Sequence, residues 1–455
     1  MTSPSRKSAY RVLLGVDSGH GFAVDLLQSA EVSALKEADR RLATEIVMGV
    51  LRWRGELDYQ IERLSGRKTD ALDTEVLTAL RMGVYQIRFL ERIPKRAVVN
   101  DAVELTKTAR KRSAAGLVNA VLRKCEPPAH PLRGDFDQLS GEQRESVRRA
   151  FPAWLLTRWE RTMASTDEPG ALAALRVAYA SLQTPPTTLR AVEAQADIEA
   201  ICQELRADGV VTGGCRYAEG RGLRVESGHI QDTAAYREGL VVIQDEASQL
   251  VAELVEPEPG QRVLDLCAAP GMKSGQIAQA MGQGTLVACD RSAARLNTMA
   301  KLLPRAIPPS VRLRMVRADA TRALPFSTKF DWILLDAPCS GTGTLARNPE
   351  IKWRLEAKDI ARLAVMQAAM LRQALSLLAA DGQLVYATCS LEPEENVGVV
   401  ETVLKETDGF RMLTATEIAA RHPRLIPLFN SGGYFWTRPD QHATDGFNAA
   451  VIVRK

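Results

Sequence analysis

No stretch of the 455-residue chain is apolar for long enough to span a bilayer. Its first residues, MTSPSRKSAY, lack the apolar core of a signal peptide. A membrane span and a cleaved secretory leader are therefore not expected, and the sequence reads as cytoplasmic. Seven cysteines are scattered without C-x-x-C spacing and without the density of a disulfide framework. No metal site is expected, and in a reducing compartment the thiols stay free. Any cysteine that matters must then act as a nucleophile or as core packing. The turn after the chain's central strand-like stretch is not G-x-G-x-x-G and has no Gly-Lys-Ser/Thr at Walker spacing. That disfavours a dinucleotide or nucleoside triphosphate.

What is present is a chain too long for one core, so two or three domains are expected. Net charge is only +4, but residues 1–125 hold 22 Lys and Arg against 15 Asp and Glu, whereas the remainder holds 37 against 40. A basic block ahead of a near-neutral body suits contact with a polyanion. Residues 5–125 follow a helical period throughout. Val76, Leu77, Leu80, Val84 and Ile87 mark one helix, closed by Pro94, and Leu42, Ile46, Val47, Val50 and Leu51 an earlier one. Lys107, Arg110, Lys111, Arg112, Arg123 and Lys124 cluster on the last two helices, where a phosphate backbone would bind. Cys125 to Pro131 breaks the pattern, and Phe151, Trp154, Leu155 and Trp159 read as packing in a short helical region. From Pro185 the pattern turns to a small α+β module, with strands at 187–192 and 223–225 and a helix at 197–205; residues 240–243 are a further strand candidate, followed by a helix at 244–254 that leads into the third domain. The expected domains are residues 1–130, 131–237 and 238–455.

The third domain is organised around Val263-Leu-Asp-Leu-Cys-Ala-Ala-Pro-Gly-Met-Lys-Ser274. A strand, a small-residue turn and then a helix is how α/β proteins seat nucleotide-like ligands. Ala268, Ala269 and Gly271 allow close approach to the backbone. Strands at 285–289, 311–316, 332–335 and 383–387 alternate with helices, predicting a doubly wound parallel sheet. Asp290, Asp319, Asp336 and Cys389 fall at strand carboxyl ends, where such sheets bind ligands. Asp290 is placed for ribose hydroxyls and Asp319 for an adenine amino group. A turn without the pyrophosphate pattern favours a nucleoside without phosphates, and S-adenosylmethionine is the common one.

Leu335-Asp-Ala-Pro-Cys-Ser-Gly-Thr-Gly-Thr344 and Tyr386-Ala-Thr-Cys-Ser390 then set Cys339 and Cys389 at strand ends facing a methyl donor. Carbon 5 of cytosine is a poor nucleophile. A thiolate adding at carbon 6 makes it enamine-like and able to attack a sulfonium methyl. Asp336 would hold the N3 edge, and a second thiol would serve the release step as base or relay. Cys267 and Cys289 read as packing. Which of the other two cysteines attacks is not decided by these arguments.

Asp265 to Ser274, Asp336 to Gly343, Ala387 to Ser390 and Glu394-Glu-Asn396 resemble the RNA cytosine-C5 methyltransferase family. Asn100 to Glu104 and Gly116 to Arg123 resemble a NusB-type RNA-binding domain. The combination resembles the bacterial small-subunit ribosomal RNA methyltransferase B (Sun/Fmu) group. That resemblance implies an all-α NusB-like N-terminal bundle, a small α+β module and a C-terminal Rossmann-like methyltransferase domain. It implies Cys389 as nucleophile with Cys339 assisting release, and a cofactor site at Cys267, Ala268, Ala269, Pro270, Gly271, Met272, Lys273, Asp290, Asp319 and Asp336. The cofactor would be S-adenosylmethionine and the partner RNA, with 16S ribosomal RNA as substrate and no membrane, metal or obligate protein partner. A tRNA methylase and a non-catalytic RNA-binding assembly factor are the alternatives. Met272 and Ser274 depart from the family's usual Gly and Thr, and Asn448 from an aromatic.

Overall fold

The structure, a computed structural model, describes residues 2–128, 134–166, 168–192 and 197–455. The boundary expected between residues 130 and 131, and the linker residues Ala129, His130 and Pro131, lie outside them. The chain divides into two compact units, one of residues 1–184 with 345–355, the other of residues 185–344 with 356–455.

The first unit is helical. Its long helix Glu37–Ser65 packs on Pro4–Asp17 and on Thr74–Phe89, and Lys95–Thr108 and Ala115–Lys124 follow. The residues that set the helical period, Ile46, Val47, Val50, Leu51, Val76, Leu80 and Val84, are all buried, as an amphipathic reading requires. Gly49 is demanded by packing, because a Cβ there would lie 1.8 Å from the Tyr85 ring. Helices Gly141–Arg149, Ala153–Thr162 and Gly170–Leu182 complete the unit, with Phe151, Leu155 and Trp159 buried among them.

An excursion from the later chain closes this unit. Residues 345–355 include the short helix Ile351–Arg354. Lys352 is 1% exposed, donates to the Arg52 carbonyl at 2.7 Å, and sits 3.8 Å from the centre of the Phe151 ring. Burial, with nearby Arg52, pushes its ammonium well below the usual lysine range, whereas the ring face favours the charged form. Trp353 donates to the Leu51 carbonyl at 2.9 Å, and Arg52 donates back to Ala346.

The second unit holds two sheets. Strands β1 (Thr187–Ala191), β2 (Val211–Gly214), β3 (Gly222–Ser227) and β4 (Val241–Ile243) form an antiparallel sheet in the order β2-β3-β1-β4. The larger sheet has β5 (Arg262–Asp265), β6 (Gly284–Asp290), β7 (Val311–Arg317), β8 (Phe330–Asp336) and β9 (Leu378–Thr388). To these it adds β10 (Phe410–Met412), β11 (Phe435–Trp436) and β12 (Asn448–Arg454). Its order is β10-β12-β9-β8-β5-β6-β7, with β11 paired to β12. The five strands from β9 to β7 are parallel, as expected. The sheet as a whole is mixed, because β12 runs antiparallel to β9 and carries β10 and β11.

Successive residues of the central strands serve opposite faces. Val263, Leu286, Leu334 and Val385 join one core with helices Glu246–Glu253 and Met272–Met281. Leu264, Val287, Ile333 and Leu384 join another with Ala357–Ser376 and Val397–Glu406. Burial on both faces is why these strands read as unbroken apolar runs. The chain leaves β5 for β6 and β7 on one side, then returns to β8 on the other. The crevice at the carboxyl ends of β5 and β8 is therefore the topological switch point.

Candidate active site

At that crevice β5 ends in Asp265, and the turn through Cys267, Ala268, Ala269 and Pro270 reaches Gly271. Gly271 caps the helix Met272–Met281 at φ 106°, a conformation that favours glycine. No side chain caps this helix, and an uncapped helix N-terminus favours an anion. Asp265 is 1% exposed, accepts a 2.6 Å hydrogen bond from Ser274 on Oδ2, and leaves Oδ1 buried without a partner. Burial pushes its carboxyl up to about 7 against the Ser274 bond, with Asp336 adding to the rise. Ser274 thus keeps the hydroxyl that the family's threonine would supply.

Asp290, at the end of β6, is buried, accepts from the Ser292 N–H at 2.8 Å and lies 3.3 Å from the Arg295 guanidinium. Arg295 also donates to the Ala269 carbonyl, tying this strand end to the turn. Asp319 follows β7 and accepts from the Thr321 hydroxyl and N–H, which hold its carboxyl below the usual range. The Ala318 N–H donates to the Asp290 carbonyl at 3.3 Å, so these two strand ends are neighbours.

Asp336 ends β8 and accepts from Lys273 Nζ at 2.7 Å. Burial works to lower the Lys273 ammonium, but Asp336 and Cys389 outweigh it, and the net direction is up. The lysine keeps its proton beside the two groups most in need of a positive charge. Cys339 and Cys389 are half-buried, with their sulfurs 3.2 Å apart. The Cys339 thiol is pushed well above the cysteine range by its hydrogen bond to Cys389, by burial, and by the charges of Cys389, Glu395 and Asp336. Cys267 and Cys289 are raised by burial first, Cys289 to about 12. Both are therefore poor nucleophiles.

The structure thus brings Asp265, Lys273, Asp336, Cys339 and Cys389 into one connected cluster, with Asp290 and Asp319 along its flank. Sequence reasoning quoted Ser340, Ser390 and Glu395 within its motifs without giving them a role, and it missed Gln367. Ser340 and Ser390 lie 2.9 Å apart through their hydroxyls, and Glu395 and Gln367 sit beneath them. Both serines immediately follow a cysteine already singled out, whereas Gln367, inside a long helix, carried no signal. Asn448, the departure from an aromatic, donates its amide to the Ser390 carbonyl at 3.0 Å. Gly343 is held to a backbone partner, since a Cβ there would lie 2.1 Å from the Gly446 carbonyl oxygen.

In the helical unit, Lys107 pairs with Glu104 at 2.7 Å and Lys111 with Asp73 at 3.2 Å, while Arg110, Arg112, Arg123 and Lys124 are exposed. Among the described residues no group of three His, Cys, Asp or Glu is arranged to hold a metal ion, and no helix is long and apolar enough to cross a membrane.

Residues 252–453 match the family described as 16S rRNA methyltransferase RsmB/F, and residues 3–127 match the NusB family. A Pseudomonas putida protein named ribosomal RNA small subunit methyltransferase B is 34% identical, over 99% of this chain and 98% of its own. A Bacillus subtilis protein with that name, qualified as probable, is 31% identical over the same shares. A solved methyltransferase homolog from Pyrococcus horikoshii superposes with a TM-score of 0.57 at 27% identity, over 70% of this chain and 100% of its own.

Proposed function

The chain belongs to the 16S rRNA methyltransferase RsmB/F family, and on that premise we propose that it methylates carbon 5 of a cytosine in 16S ribosomal RNA through a covalent bond from Cys389 to carbon 6. The methyl donor of this ribosomal RNA methyltransferase is S-adenosylmethionine, which supplies an electrophilic methyl on a sulfonium. The residues present fit it. The orphaned Oδ1 of Asp265 is an acceptor for an ammonium group, and the uncapped helix at Gly271, Met272 and Lys273 suits a carboxylate. Asp290 would hold the ribose and Asp319 the adenine, with Cys267, Ala268, Ala269 and Pro270 forming the floor of the turn.

The observation that carries the reading is the 3.2 Å approach of the two thiols beside the Lys273–Asp336 pair. The Cys389 thiolate, faced by the Lys273 ammonium, adds to carbon 6, and the electron pair of the 5,6 double bond moves to carbon 5. Asp336 holds the cytosine edge protonated at N3, so the proton shared there neutralises the negative charge that the ring gains. Carbon 5 then takes the methyl group. For release, the proton on carbon 5 must leave, the Cys389–carbon bond breaks, and its electrons return to sulfur. Cys339 would donate a hydrogen bond to the departing sulfur and relay the proton.

Substitution of each cysteine tests this. Cys389→Ala should abolish turnover while RNA and cofactor still bind. Cys339→Ala should transfer the methyl group and stall, leaving a slow-migrating protein–RNA band on a denaturing gel, and the double variant should show none. The reverse pattern would move the nucleophile to Cys339. Bisulfite sequencing of RNA from a strain lacking the protein should show one 16S cytosine losing its mark. A lost mark in tRNA would change the substrate, and no change anywhere would favour a binding factor.

A further inference from the structure

Beneath the thiols lies a carboxylate that the reaction just described does not use. Glu395 is fully buried. Its Oε1 accepts from the Ser340 N–H and from Gln367 Nε2, each at 2.9 Å, and its Oε2 accepts from the Ser390 hydroxyl at 2.6 Å. All three donors are neutral, and a buried carboxylate without a cation is costly to maintain. The three donors come from three separate elements. Ser340 follows Cys339 in the loop after β8, Ser390 follows Cys389 in the loop after β9, and Gln367 lies within the helix Ala357–Ser376. Gln367 Nε2 also reaches the Pro338 carbonyl at 2.9 Å. The residues on both sides of Cys339 are thus held by one Glu–Gln pair, and the same carboxylate holds the residue after Cys389.

Other bonds run between the loops as well. The Gly343 N–H donates to the Cys389 carbonyl and the Leu391 N–H to the Thr342 hydroxyl, each at 2.9 Å. None of these, however, joins both loops to the helix behind them. Resting on the covalent reading above, we propose that Glu395 is a positioning residue, a single clamp that fixes the Cys339 and Cys389 loops against each other and so sets the approach of the two sulfurs.

The test uses the full chain with Glu395→Ala and Glu395→Gln, and two readings. One is steady-state methylation. The other is closure of the Cys339–Cys389 disulfide by diamide, which takes the two thiol hydrogens and is itself reduced to the hydrazine. Closure is followed by mass spectrometry and needs no methyl transfer. Glu395→Ala should lower kcat by about 100-fold, the scale of a misplacement near 1 Å, and slow closure by roughly tenfold. KM for RNA and the affinity for cofactor should stay within about twofold, since no binding contact is removed. Glu395→Gln keeps the shape and the acceptor for Ser340 and Gln367, and its amide can donate to the Ser390 hydroxyl in place of accepting from it, so it should restore most of both rates.

Wild-type closure and kcat in Glu395→Ala would overturn the clamp. So would a loss of kcat matched by lost cofactor affinity with closure unchanged, which marks a residue that only supports the fold. If the alanine variant fails to fold, Ser390→Ala removes one arm alone, and closure at the wild-type rate there overturns the proposal. Methylation surviving Cys389→Ala would sink the covalent reading instead, leaving the diamide result to decide the clamp by itself.

Discussion

In the helical unit the clustered cations are wet. Arg112, Arg123 and Lys124 are exposed, and Lys107 and Lys111 lean on acidic neighbours at the surface. At the strand ends of the catalytic unit, Asp265, Ser274, Ser340, Ser390 and Glu395 are buried; Ser274 bonds Asp265 directly, and Ser340 and Ser390 bond Glu395. The first arrangement suits a polyanion, whose affinity depends on how many counterions are released and tolerates imprecise placement. The second suits bond-making, where a displacement of about 1 Å can cost on the order of 100-fold in rate. On the proposed function, affinity and chemistry would be carried by side chains of opposite burial, and each should fail in its own way.

The largest effect should come from the dry region. Asp265 is held near 7 in the fold, against about 3.9 in an unfolded chain. Between those values the unfolded chain sheds a proton that the folded chain keeps, so rising pH costs the cofactor-free protein stability until the folded group ionises. Asp265→Asn cannot titrate. Its stability relative to wild type, followed by urea denaturation, should therefore rise by about 1.4 kcal/mol per pH unit through this window and level off above it. A flat difference would mean that Asp265 is ionised throughout.

Next in size, Asp290→Ala should weaken cofactor binding by roughly 1.5–3 kcal/mol, or about 10- to 200-fold. Calorimetric titration at two salt concentrations should find the same loss, because the site is shielded from the ionic atmosphere. The smallest effect belongs to the wet region. Replacing Arg112, Arg123 and Lys124 together by Ala should make the salt dependence of RNA binding shallower by about 2–3 in slope, at roughly 0.7–0.9 per contact. Cofactor affinity should not move. A cofactor site that responded to salt, or a basic cluster that did not, would dissolve the contrast.

The parallel strands were legible because each is buried on both faces and so reads as an apolar run. Their acidic or cysteine ends were legible because polar residues closing such runs stand out. The helix after the central turn begins at Met272, within a stretch that does not read as helix by residue type. Lys273, Ser274 and Gly275 look like loop by propensity, yet the backbone turned by Gly271 makes them the first helical turn. Strand β2, Val211–Gly214, escaped because two of its four residues are glycines and none is buried. The antiparallel edge was not foreseen either, since strand–helix alternation ends at Cys389 and β12 pairs across more than fifty residues.

Least legible were the buried charges. Lys352, Glu350 and Glu395 would each be placed at the surface by residue type, and the structure buries all three. For Glu350 part of the reason is local, since its Oε1 accepts from the Ala23 N–H at 2.6 Å. The partners of Lys352 and Glu350 lie hundreds of residues away in sequence, and those of Glu395 sit on separate elements, where no periodicity can reveal them.

The eleven residues from Leu345 to Leu355 bear on how the protein is made. Synthesis runs from the N-terminus, so residues 1–184 leave the ribosome early, yet the lysine that covers Phe151 lies beyond residues 185–344. At about 5–20 residues per second, the ribosome needs on the order of ten to thirty seconds to deliver it. Throughout that interval the nascent helical unit holds an open aromatic face and unfilled acceptors at Leu51 and Arg52. Its final closure waits on a piece of chain that emerges after the first thiol loop, so the early-born half of the molecule is completed only when the later half is already under way.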